Sequence, residues 1–131
     1  QGGEKHKWGL RGGIKTRNAD NQCCGQTYID LYLLDNKQHP ERVKDIKASI
    51  DSMKLTSKVD DWNWIDALQM AMPVFVKLGN LYNDTSYFSR MYEMCCTILR
   101  INCGGETKIL YHPIKNLTEK IVTGAVVMVG W

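Results

Sequence analysis

The sequence predicts an all-α fold of antiparallel helix hairpins, followed by an irregular or weakly β C-terminal tail. Apolar residues recur at steps of three and four through four successive segments with short turn signals between them. That period breaks near Met94, after which "KIVTGAVVMVGW" is dominated by β-branched and small residues. The chain has 131 residues, 44% hydrophobic and 24% charged, with a net charge of +3. Such a length suits one domain or a piece of one. The charge is too small to argue for nucleic acid or an acidic membrane as a partner. No apolar run approaches the roughly 18 residues of a membrane span. The start "QGGEKHKWGLRGG" lacks the layout of a signal peptide, and the compartment stays open.

The first helix is expected from Asp20 to Leu34, with Cys24, Tyr28 and Leu31 on one stripe and Asn18 or Asp20 as N-cap. Gly25 in it permits close approach of a helix or a ligand. The turn "DNKQHP" gives a Pro-led start at Pro40 to a second helix, whose apolar residues are Val43, Ile46, Ile50 and Met53 and whose outer face is Lys-rich. From Trp64 to Leu78, the stripe Trp64, Leu68, Ala71, Phe75, Leu78 is joined by Ile65, Met72 and Val76, so the third helix is buried on most sides. Gly79 and Asn80 suit its C-cap, and Asp84 or Thr85 suits the N-cap of a fourth helix carrying Phe88, Met91 and Met94. The apolar tail has no partner strand upstream.

The five cysteines include the adjacent pairs Cys23-Cys24 and Cys95-Cys96. Neither pair bridges easily within itself, and with Cys103 they read as buried, reduced thiols. The isolated His6, His39 and His112 have no metal-ligand spacing. "NDT" at Asn83 matches a glycosylation sequon, a triplet common by chance.

Chemistry concentrates in "DDWNWIDALQMAMPVF". An unpaired carboxylate at Asp66 is costly inside an apolar helix. On a helix it shares a face with Trp62, Met70 and Pro73, and a dry site beside a Trp raises a carboxyl pKa toward general-acid use. Against this, Asp66 caps a helix start or pairs with a Lys in the core, and the two tryptophans are core. Asp20, at a helix entrance, is the second candidate, with a plain N-cap as its alternative.

"RNADNQCCGQTYIDLY" and "DDWNWIDALQMAMPVFVKLG", with "RVKDIKASIDSM" between them, resemble the unsaturated rhamnogalacturonyl and glucuronyl hydrolases, glycoside hydrolase families 105 and 88. The resemblance runs from Lys15 to about Met94. It implies that residues 1–94 are part of an (α/α)6 barrel with its active site at one mouth of the inner helix ring. It also implies removal of a terminal 4,5-unsaturated uronic acid from pectin or glycosaminoglycan oligosaccharides, by hydration of the enol-ether double bond. No metal or organic cofactor is needed. By motif position Asp66 corresponds to the general acid/base and Asp20 to the second carboxylate. Trp64 keeps the aromatic just before the acid, and Trp62 is a second substrate-binding ring.

Nothing in residues 95–131 resembles the family's continuation, yet codons that fit "EKIVTGAVVMVG" spell KDCYWSRGNG when read two bases on. The same offset upstream lets "CCTILRINCGGETKILYHPIKNLT" spell LYDTTDKLWWRDKDF, one variable residue and PPYKEPNG. Each step admits few amino acids, so agreement over the whole tail is hard to attribute to chance. The expectation is an out-of-frame tail. Cys95, Cys96, Cys103 and the sequon at Asn116 then carry no selected meaning, and the Arg and Trp of WSRGNGW, which help bind the substrate carboxylate, are absent.

A rival from another class is a non-catalytic α-helical repeat module, since the helix pairs Gln26 to Met53 and Asp61 to Arg100 also suit a solenoid. They share no consensus, which counts against it. A solenoid leaves Asp66 exposed or salt-bridged on a groove, whereas the enzyme places Asp66 and Asp20 together at helix ends beside Trp64. The frame itself is testable from the coding DNA. Codons 95 to 131, read two bases on, are expected to give WSRGNGW, and codons that fail to do so end the frame-change reading.

Overall fold

The computed structural model describes residues 2–103. The expected irregular tail falls outside the described residues beyond Cys103. Six helices follow one another: α1 (Gly2–Lys5), α2 (Ala19–Gln22), α3 (Gly25–Leu34), α4 (Glu41–Lys54), α5 (Asp66–Tyr82) and α6 (Ser86–Cys103). Among the described residues there is no strand. The described residues are all-α, as predicted for the helix hairpins.

The single helix expected from Asp20 to Leu34 is divided at Cys23 and Cys24. Asn18 caps α2, its side chain accepting from the backbone N–H groups of Asp20 and Asn21. Cys23 and Cys24 keep right-handed helical dihedrals, so the division is one of hydrogen bonding, not of direction. Gln26 N donates to Cys23 O at 3.2 Å, an i to i−3 bond, before the regular ladder resumes. On the face turned to α4, Gln22 is fully buried and donates to Thr16 O at 3.1 Å and Ser49 Oγ at 2.9 Å. A Cβ on Gly25 would stand 2.3 Å from Ile46 Cγ1. Glycine is therefore required where α3 meets α4.

Pro40 occupies the N-cap position of α4 with φ −62°, a value its ring fixes in advance. Val43, Ile46, Ile50 and Met53 are buried as the spacing predicts. Arg42 at the start of α4 pairs with Asp35 and donates to Leu31 O at 3.3 Å, while Ile46 lies over Gly25. The two helices therefore form an antiparallel hairpin.

α5 begins two residues later than expected and ends four residues later. Gly79 is not its cap but a buried interior residue, where a Cβ would stand 2.7 Å from Phe88 Cζ. The stop is made by Asn83, left-handed at φ 50° and ψ 47°, whose N–H returns to Gly79 O. Asp84 then accepts from Ser86 N at 2.9 Å and Ser86 Oγ at 2.6 Å. These bonds draw its carboxyl down to about 2. This three-residue turn folds α6 back on α5 as a second hairpin. The helical pattern, expected to stop near Met94, continues to Cys103 because Ile98 prolongs the buried stripe of Met91 and Met94. Cys23, Cys24, Cys95 and Cys96 are free thiols, as expected, but they are not buried: Cys23 is exposed and the other three are half-buried.

Pro73 sits in mid-α5 and has no N–H for Gln69 O, the acceptor one turn before it. Gln26 fills the gap. Its Nε2 donates at 2.9 Å to both Gln69 O and Met70 O, which also fastens α3 to α5. Removing the donor leaves the Gln69 carbonyl to water and loosens the α3–α5 link, a loss of about 0.5 to 1.5 kcal/mol. Gln26→Ala is expected to lower urea-unfolding stability by that amount. In a Pro73→Ala background, where residue 73 regains its N–H, the loss should shrink, and equal losses in both backgrounds would refute the coupling.

Candidate active site

Two segments outside the long helices meet at one end of the bundle. Arg17, just before α2, donates from Nε to Asp61 Oδ1 at 2.7 Å and from Nη2 to Asp61 Oδ2 at 2.6 Å. It also reaches Thr56 Oγ1 at 2.9 Å and Lys58 O at 3.1 Å. The loop between α4 and α5 is thereby fastened to the entrance of α2, and α2 itself packs on α5.

Asp20 lies in the first turn of α2 and is exposed. Asn18 already caps this helix, so the plain N-cap reading of Asp20 does not hold. Its charge is felt at Cys23, whose thiol is held above its ordinary value first by burial and then by the negative charges of Cys24 and Asp20.

Asp66 is the first residue of α5 and is exposed, not enclosed in an apolar helix. The later start of α5 explains the difference. It places Asp66 in the first turn of α5, where the helix dipole favours an anion, while the N–H groups of Ala67 and Leu68 bond back to Trp64 O and Ile65 O at 3.1 Å. Ile65 occupies the cap position without a side-chain bond, and among the described residues Asp66 has no ion-pair partner. The acid therefore neither caps α5 nor pairs in the core. Most other described acids are engaged: Asp30 with Lys77, Asp35 with Arg42, Asp51 with Lys47 and Lys54, Asp61 with Arg17, Asp84 with Lys54 and Glu93 with Arg90. Asp20 and Asp66 have no such role.

Trp62 does not share a helix face with Asp66, because it precedes α5. It is fully buried and stands edge-on to Phe75, with ring centroids 5.6 Å apart. Its Nε1 is a buried donor without a partner among the described residues. A ring so enclosed offers no face to a sugar, and its place is the core. Trp64 is half-buried and packs against the margin of the core, two residues before Asp66 in the chain. Among the described residues no group of His, Cys, Asp and Glu is arranged to hold a metal ion, and His39 pairs with Glu41 at 3.1 Å. No described helix is long and apolar enough to cross a membrane.

Sequence reasoning missed Arg17 and Asp61. A signal existed in the opposite charges flanking the two acid-bearing motifs, but only the fold brings residues 44 apart in the chain together.

Both helix hairpins thus carry a candidate acid exposed at a helix start, Asp20 in α2 and Asp66 in α5. The model of Glycosyl Hydrolase Family 88 matches residues 2–125, and the chain belongs to that family. The match covers every described helix and runs on past Met94. No curated protein and no solved structure matched the chain. The family settles the choice left by the exposure of Asp66, which alone would also suit a repeat module: the chain is of hydrolase lineage, of the unsaturated glucuronyl and rhamnogalacturonyl kind, with an oligosaccharide as substrate.

The two tryptophans should differ sharply on truncation. Trp62→Ala is expected to cost about 3 to 5 kcal/mol as a large buried ring is lost. Trp64→Ala should cost much less. Chemical denaturation distinguishes them, and a larger loss at Trp64 would show that their roles are reversed.

Proposed function

We propose that Asp66 and Asp20 are the paired carboxylates of an unsaturated uronyl hydrolase, and that its substrate is a fragment of pectin (rhamnogalacturonan) or a related oligosaccharide bearing a 4,5-unsaturated uronic acid. What carries the reading is a coincidence of motif and structure. The two acids that the family resemblance selects are both exposed at helix starts and free of structural bonds.

The chemistry is acid and base work on a polarised double bond. Asp66 in its acid form gives a proton to C4 of the enol ether, and the ring oxygen stabilises the positive charge that develops at C5. The resulting carboxylate draws a proton from water as its oxygen bonds to C5. Asp20, as the second carboxylate, holds that water and the ring hydroxyls. The hemiketal formed at C5 opens and expels the leaving sugar. Trp64 offers an apolar wall for the sugar face. Since the anomeric carbon is not attacked, the carboxylate spacing rule of ordinary glycosidases does not apply.

We further propose that residues 95–131 are an out-of-frame translation of the segment carrying the family's WSRGNGW. The present chain then lacks the arginine and tryptophan that bind the substrate carboxylate. Turnover of an unsaturated galacturonyl-rhamnose disaccharide, followed as loss of enol-ether absorbance, should be absent for this chain and present once the frame is restored. Asp66→Asn should lower the restored rate by about 10²- to 10⁴-fold. Turnover by the present chain that Asp66→Asn abolishes would show that the frame-shifted segment is dispensable. A restored rate indifferent to Asp66→Asn would remove the acid role.

A further inference from the structure

The Arg17 and Asp61 pair joins the two chain segments that carry the candidate acids. Arg17 is three residues before Asp20, and Asp61 is five residues before Asp66. The Asp61 side chain is only 6% exposed and Arg17 is 23% exposed, so the pair is largely shielded. Both carboxylate oxygens are taken by two different guanidinium nitrogens, a fork that fixes direction as well as distance. The remaining donors hold Thr56 and Lys58 of the same loop. From each end of the fork a short, fixed path leads to an acid. On one side Arg17 is followed by the Asn18 cap and by Ala19, buried at 1% exposure. On the other, Asp61 is followed by Trp62, buried against Phe75.

We infer that Arg17 and Asp61 are positioning residues, which set the separation and relative orientation of Asp20 and Asp66 by clamping the α4–α5 loop to the entrance of α2. The inference rests on the two-carboxylate reading above. A pair this shielded adds little net stability, because desolvation offsets much of the attraction, but it restricts geometry strongly.

The test uses the chain as it exists and needs no turnover. Backbone residual dipolar couplings are recorded for residues 18–22 and 63–68 in the unaltered chain and with Arg17→Lys, which keeps the charge and loses the fork. In the unaltered chain one alignment should fit both segments together, and separate alignments there would overturn the inference. With Arg17→Lys, folded by circular dichroism, residues 63–68 should no longer fit the alignment of residues 18–22. Couplings unchanged by Arg17→Lys would overturn the positioning role and leave the two-carboxylate reading standing. That reading fails separately, if a restored-frame rate is indifferent to Asp66→Asn. If Arg17→Lys does not fold, Asp61→Asn takes its place. If neither folds, the pair is a requirement for folding and the positioning role is overturned.

Discussion

The burial of α5 constrains everything described here. Ala67, Leu68, Ala71, Met72, Val74, Phe75, Val76 and Leu78 are all buried, so the helix has apolar surface around most of its circumference. A helix of that kind is stable only when other elements enclose it. α2 and α3 cover it on one flank and α6 on another. Two close contacts make this covering possible: Gly79 lets the Phe88 ring approach α5, and Gln26 donates to the carbonyl that Pro73 leaves open. Enclosure of the body leaves the N-terminal end uncovered. Asp66 occupies that end, so its exposure follows from burial of the residues after it.

The same packing accounts for Asp20. α2 is only four residues long and has too few residues to bury a face of its own, but it lies on α5 and is anchored by Ala19 and Gln22. Gln22 reaches α4 through Ser49 and the preceding loop through Thr16. Asp20 is thereby carried at the start of a short element whose other residues are fixed. Side chains that face the core or bind each other hold the frame, and the two acids outside that network remain available for chemistry.

Periodicity revealed most of this frame. The stripe of α4 and the near-complete apolarity of α5 translate directly into buried residues, because a repeat of three and four residues has one structural meaning. The ends were less legible. Gly79 looks like a stop in the sequence, but the need for close contact with Phe88 outweighs glycine's usual preference for a helix end. Ile98 extends α6 past Met94 because burial needs only an apolar side chain at the right step. Motif resemblance singled out both acids as candidates, while their exposure was illegible from a pattern that placed Asp66 inside its helix. Trp62 precedes α5, so it does not follow the helical period that would set it on the face of the acid, and its ring turns into the core. Arg17 and Asp61 could not be paired from a single sequence, since only the fold brings them together.

The central claim is that a sugar acid meets this protein at the paired helix starts of α2 and α5. Backbone amide NMR of the chain during addition of the unsaturated galacturonyl-rhamnose disaccharide tests it most directly. Shift changes are expected to cluster at residues 18–22 and 63–68. Changes confined to other surfaces, with those two segments unmoved at saturation, would contradict it.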